Sequence, residues 1–294
     1  MTEAIELKNG KLTDAQIAQY WDNGYLYPIP AIPPEDAVEM RAELEALEAE
    51  WLDNGLPRSL NQYKRVNAHC VIPLAARVAA DPRVLDVVEG ILGPDILVWS
   101  SEFFIKEART DHIVSMHQDL TYWGMGETSD QVTAWVALSP ATRASGCMDF
   151  VRGSHKNPIL PHEDTFDDKN LLSRGQEIQV DVADEDKIAI ELQPGQVSLH
   201  HGLTIHGSGP NVSDDRRIAV AIRYIKPTVA QQIAERDYAM LVRGVDLHGH
   251  HTLLAAPTEP FPPRMLELYE QMRTDQAQAL AAGAKSGVDM YRSA

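Results

Sequence analysis

The run Ser115-Met116-His117-Gln118-Asp119 sets an imidazole and a carboxylate two positions apart. In an extended strand such residues point to one face, so His117 and Asp119 can converge on a single ion, with Ser115 beside them. A third ligand has to come from another strand, and His206, at the end of VSLHHGLTIHGSGPN, is the best candidate. Two imidazoles and one carboxylate form a facial triad that leaves three positions open on an octahedral iron(II). Those positions suit a bidentate 2-oxo acid and dioxygen. An H-x-D pair alone is a weak signal among 11 histidines, and zinc hydrolysis is a rival for any His/Asp cluster.

The surroundings sharpen the reading. Eleven residues after His206, Arg217 opens the segment RIAVAIRYI. Arg217, Ala219, Ala221 and Arg223 share one face, and Ile218, Val220, Ile222 and Tyr224 share the other. The apolar face calls for a packed core or a covering helix. The first face leaves space beside a cation, and a guanidinium is shaped to hold a carboxylate through two parallel hydrogen bonds. In QVTAWVALS, Gln131, Thr133, Trp135 and Ala137 face one way and Val132, Ala134, Val136 and Leu138 the other. A polar face on an interior strand implies a wet pocket, and Trp135 is either core or a wall of the co-substrate site.

The elements that must position these groups are mainly β. Segments at 96–106, 113–119, 131–139, 147–151, 188–192, 196–206 and 217–225 read as short strands, separated by Gly, Pro, Asp and Asn. Strands in series predict a sandwich or barrel. Residues 1–95 read as mainly helical. Helical periodicity runs through 14–24 after Thr13, through 33–55 with Pro34 near its start, and through 81–93. Residues 152–187 read as a polar insertion, and 227–294 as a helical extension that includes PRMLELYEQMRTDQAQALAAG. No linker separates independent domains, so 1–294 is expected to be one domain with a jelly-roll core at 96–226.

Composition excludes several function classes. The net charge of −17 and pI near 5.0 disfavour nucleic acid and anionic membrane surfaces as partners. Two cysteines, Cys70 and Cys147, are too few for a disulfide framework and suit a reducing compartment. No apolar run approaches the roughly 18 residues that span a bilayer, and MTEAIELKNGKL does not look like a leader. A cytoplasmic protein with a small-molecule substrate is expected; monomer and homodimer are both compatible.

HQDLTYWGM, TAWVAL, GCMDFVRGSHK, PGQVSLHHGLTIHGSGPN and DRRIAVAIRY, in that order, resemble the phytanoyl-CoA dioxygenase family of iron(II)/2-oxoglutarate oxygenases, over residues 10 to 250. The resemblance implies a double-stranded β-helix (a cupin-like jelly roll) with flanking helices. It implies iron on His117, Asp119 and His206, and 2-oxoglutarate with its distal carboxylate on Arg217, assisted by Ser208 and near Trp135. It implies hydroxylation or related oxidation of a C–H bond with O2, releasing succinate and CO2. Arg152 replaces the proline usual before Gly153-Ser154-His155, and His155, His200 and His201 are read as structural or supporting. Asp119 fills the position that related halogenases leave small, which favours hydroxylation. Candidate substrate contacts are Tyr122, Trp123, Met148, Phe150, Asn67, His69 and Arg243; Arg243 can instead pair with Asp246. No basic cluster suited to CoA phosphates is evident, so a small polar or amphipathic metabolite is preferred. Two alternatives stand beside this: a peptide hydroxylase with a broad cleft, and a cupin-type metal protein without 2-oxoglutarate turnover.

Overall fold

The computed structural model describes residues 2–165, 167, 169–172 and 175–281. In chain order the elements are α1 (Asp14–Asn23), β1 (Tyr25–Pro30), α2 (Pro34–Trp51), α3 (Leu60–Arg65), α4 (Pro73–Ala79), α5 (Pro82–Leu92) and β2 (Ile96–Lys106). Then come β3 (Val114–His117), β4 (Gln131–Ala137), β5 (Met148–Val151), β6 (His162–Asp164), β7 (Gln176–Ile178), β8 (Lys187–Ile190) and β9 (Gln196–His200). The chain continues with β10 (His206–Ser208), β11 (Arg217–Ile225), β12 (Tyr238–Arg243), β13 (Thr252–Leu253) and α6 (Pro263–Ala281).

Sequence chemistry explains the helix ends. Thr13 caps α1 in a reciprocal box with Gln16, and Gly24 terminates the helix at φ 85°. Asp81 caps α5 through the Arg83 N–H, with Pro82 at its first turn.

Two sheets form the jelly roll. The larger has seven strands in the order β1-β9-β4-β11-β2-β12-β13, and the smaller has four in the order β3-β10-β5-β8. The period-2 alternation of β11 and β4 divides the larger sheet cleanly. Ile218, Val220, Ile222 and Tyr224, with Val132, Ala134 and Val136, join one core with Val84, Leu85 and Val88 of α5. Trp135, Ala137, Ala219 and Ala221 face the other way, into a core with Met148, Phe150 and Ile190 of the smaller sheet. Burying apolar area on both faces holds the helices outside and the second sheet inside.

Four sequence expectations need correction. The N-terminal part is helical but also supplies β1, an edge strand paired only with β9. The segment 113–119 ends as a strand at His117, and Asp119 opens a short 3-10 turn. The segment 196–206 splits into β9 and β10 around a turn. Residues from 227 are not continuously helical: β12 pairs with β2 and β13 with β12 before α6 begins, and expectations beyond 281 fall outside the described residues. No described helix is long and apolar enough to cross a membrane.

Candidate active site

His117 ends β3 and His206 opens β10, and the two are direct partners in the antiparallel ladder. Their rings lie 4.2 Å apart. Gly207 permits this pairing, because a Cβ there would meet Val114 O at 2.7 Å and Met116 Sδ at 2.8 Å. Gln118 keeps an extended backbone, so Asp119 projects beside His117 although the ladder has ended. One ligand atom from each of His117, Asp119 and His206 lies within 4.8 Å of the others. His117 Nε2 is 3.4 Å and His206 Nε2 3.9 Å from Asp119 Oδ1.

The ring orientations are set by backbone acceptors two residues upstream. His117 Nδ1 lies 2.9 Å from Ser115 O, and His206 Nδ1 lies 2.9 Å from Thr204 O. Both Nδ1 atoms therefore carry the proton, and both Nε2 lone pairs face the shared point. Burial, reinforced by His117, pushes the His206 imidazole well below its usual range, which keeps it neutral. Burial works against ionisation of Asp119, but the imidazoles of His117 and His200 beside it hold its carboxyl well below the usual carboxylate range. The second oxygen, Oδ2, accepts from Thr133 Oγ1 at 3.3 Å and faces His200 Nε2 at 3.6 Å. Two imidazoles and an oriented carboxylate fit a borderline divalent ion such as iron(II).

A cavity of about 50 Å³ opens from these atoms between the two sheets. At one end sits Arg217, 1% exposed. Its Nη1 donates to Gly146 O at 2.6 Å, while Nε and Nη2 have no partner among the described residues. Gly146 (φ 70°) packs too close to Gly209 O for any side chain. The guanidinium lies 5.2 Å from the Trp135 ring and 5.5 Å from that of Phe104. Burial pulls Arg217 down to about 9. Buried, unpaired donors are costly, and a carboxylate is the ligand that satisfies a planar guanidinium fork. Ser208 lies on the same wall. The residues thus fit both a metal ion and a 2-oxo dicarboxylic acid.

Not every predicted contact reaches this cavity. Met148 lines it, and Phe150 stands edge-on to His206, with ring centroids 5.8 Å apart. Tyr122 and Trp123 turn away after Asp119. Tyr122 meets His162, and Trp123 packs on Trp99 at 5.2 Å, beneath Arg223, which does line the cavity. Asn67, His69 and Arg243 do not reach it. Asn67 bonds Gln276 of α6. His69 pairs with Ser101, on the helix-covered face of the larger sheet. Arg243 pairs with Asp86 and Glu89 of α5, not with Asp246, because β12 runs beside β2 toward that helix. His155 Nε2 donates to Trp21 O of α1, and His201 Nδ1 accepts from Leu203 N in the turn that precedes β10.

Sequence reading missed several participants. Lys106, on the inner face of β2, donates to Ser208 Oγ at 2.7 Å. Glu102 pairs with Arg223 and Arg65 behind the cavity wall. The segment read as a polar insertion contributes Leu172 to the lining, and its His162 accepts from the Gln118 N–H between His117 and Asp119. The alternation Glu102, Phe104, Lys106 was the available signal, because it places two charges on a strand face that should meet the second sheet.

A jelly roll that brings a His-x-Asp…His triad to one cavity with a buried arginine has the build of the non-haem iron oxygenases that use 2-oxoglutarate. The chain belongs to the phytanoyl-CoA dioxygenase family, whose model matches residues 20–219. It is 29% identical over 158 residues to a probable phytanoyl-CoA dioxygenase of Caenorhabditis elegans, covering 52% of this chain and 51% of that protein. It is 24% identical to the peroxisomal phytanoyl-CoA dioxygenase of Rattus norvegicus, covering 74% of this chain and 70% of that one. The match to the nematode relative therefore spans about half of its length. Among solved structures, the non-heme monooxygenase ThoJ in its apo form superposes with a TM-score of 0.80 at 32% identity, over 90% of this chain and 97% of that one.

Proposed function

We propose that the chain, as one domain, is an iron(II)- and 2-oxoglutarate-dependent oxygenase that hydroxylates or otherwise oxidises an unactivated C–H bond of a small metabolite. The observation that carries this is the meeting of His117, Asp119 and His206 at one point, in the same cavity as the Arg217 donors that have no partner among the described residues. Iron(II) with 2-oxoglutarate and O2 supplies an oxidant able to break such a bond, with succinate and CO2 as co-products.

The chain's own residues prepare that chemistry. His117 and His206 present their Nε2 atoms, and Asp119 presents Oδ1 while Thr133 donates to Oδ2 and His200 faces it. Arg217 would take the far carboxylate of the 2-oxo acid, with Ser208 as a second donor and Trp135 as a wall. Phe104, Met148 and Leu172 supply apolar walls of the cavity. The mixture of apolar walls with Arg223 at the other side suits an amphipathic molecule of limited size. Burial of the triad between two sheets favours a small molecule over a peptide substrate. The unpaired guanidinium favours 2-oxo acid turnover over simple metal storage.

The test is a panel of small metabolites scored by succinate release under air. Substrate-dependent succinate should appear with the native chain and vanish in Asp119→Ala and His206→Ala. Undiminished release by either variant would remove that residue from the site.

A further inference from the structure

Lys106 and Arg217 are direct partners across the β2–β11 ladder, on the face that meets the smaller sheet. Like charges so placed repel. Both side chains are 1% exposed, and their partners are carbonyls and a hydroxyl, with no acid among them. Lys106 Nζ donates to Ser208 Oγ at 2.7 Å, to Ser208 O at 3.2 Å and to the carbonyl of Gly209. An ammonium has three N–H bonds, so all three are engaged. Ser208 Oγ accepts one of them, which leaves its own proton to donate on the cavity side. Arg217 Nε and Nη2 lack partners at the same end of the cavity. Donors thus converge on one place where the protein supplies no acceptor.

We propose that Lys106 is a positioning residue for 2-oxoglutarate: it fixes the Ser208 hydroxyl as a donor toward the distal carboxylate and stands behind that carboxylate as a second buried positive charge. This rests on the reading of the site given above. Burial, reinforced by Arg217, pulls the Lys106 ammonium down to about 6, against opposing pulls from Cys147 and Asp149. An arriving carboxylate offsets that penalty, so binding and lysine protonation support each other. A lysine that merely ties the end of β10 to β2 has no reason to tell one 2-oxo acid from another.

Anaerobic titration of the iron(II)-loaded protein, followed by the visible charge-transfer band, tests this without turnover. The ligands are 2-oxoglutarate and pyruvate, which lacks the distal carboxylate. The proteins are the native chain, Lys106→Met, Ser208→Ala and the double variant, with Lys106→Gln standing in should the Met variant not fold. Each single change should weaken 2-oxoglutarate binding about tenfold or more and leave pyruvate unaffected. The double variant should be no weaker than the worse single one, because Lys106 acts through Ser208. Native affinity in the Lys106 variants, equal losses for both acids, or losses that multiply in the double variant would each overturn the proposal. Failure of the native chain to bind 2-oxoglutarate is a separate result: it overturns the reading of the site itself, without any substitution being needed.

Discussion

Replacing Arg217 by methionine separates what the arginine does for the site from what it does to the fold. The guanidinium is 1% exposed, has one hydrogen bond, to Gly146 O, and sits across from Lys106. Burial pulls it down to about 9, so the charged form is disfavoured by an amount on the order of 4–5 kcal/mol. Methionine removes that penalty at similar volume, and leaves the Gly146 carbonyl without its donor at about 1–3 kcal/mol. The chain without ligand should therefore gain about 1–4 kcal/mol, a rise of a few degrees in Tm. With 2-oxoglutarate the sign reverses. Losing a charge-assisted fork of about 3 kcal/mol raises the Kd roughly 150-fold. Thermal melts of the zinc-loaded protein, with and without 2-oxoglutarate, give both quantities. The native chain should be less stable than the variant without ligand and more stable with it. A variant that melts well below the native chain without ligand, yet binds 2-oxoglutarate equally well, would refute the reasoning.

Two further outcomes follow from the geometry. Thr133→Val removes the donor to Asp119 Oδ2 and should weaken iron(II) binding about tenfold, read by competition with a chelator; unchanged affinity would show that the threonine does not orient the carboxylate. His69 is pushed down to about 3 by burial, so below about pH 6.5 the unfolded chain binds more protons and stability falls as pH drops. His69→Gln should lose about 2 kcal/mol less than the native chain between pH 7.5 and pH 5 in urea denaturation, and parallel losses would contradict the assignment.

Much of this was legible in the sequence, for reasons that also explain the misses. The faces of β11 and β4 could be read because both strands lie between apolar layers, where period 2 is enforced on every residue. His117 and Asp119 could be paired from spacing alone, although Asp119 lies past the end of its strand; the extended backbone at Gln118 preserves the projection. β1 escaped because Pro28 and Pro30 suggest a loop. Proline is tolerated there since β1 pairs on one side only. β12 was obscured by its place in a tail whose next long element is helical. Asn67, His69 and Arg243 were chosen by residue type, and type alone does not say which face of the larger sheet a side chain will meet. Lys106 was passed over because a lysine ending a strand ordinarily reaches solvent; here the turn carrying Ser208 and Gly209 closes over it.

The central claim is that one ferrous ion and one 2-oxo acid meet in the cavity bounded by His117, Asp119, His206 and Arg217. Anaerobic addition of iron(II) and then 2-oxoglutarate, watched in the visible region, measures this most directly. A charge-transfer band should appear that saturates at one iron and one 2-oxoglutarate per chain, and it should be absent in Asp119→Ala. Iron that binds without any band on adding 2-oxoglutarate, or a band of full strength in Asp119→Ala, would contradict it.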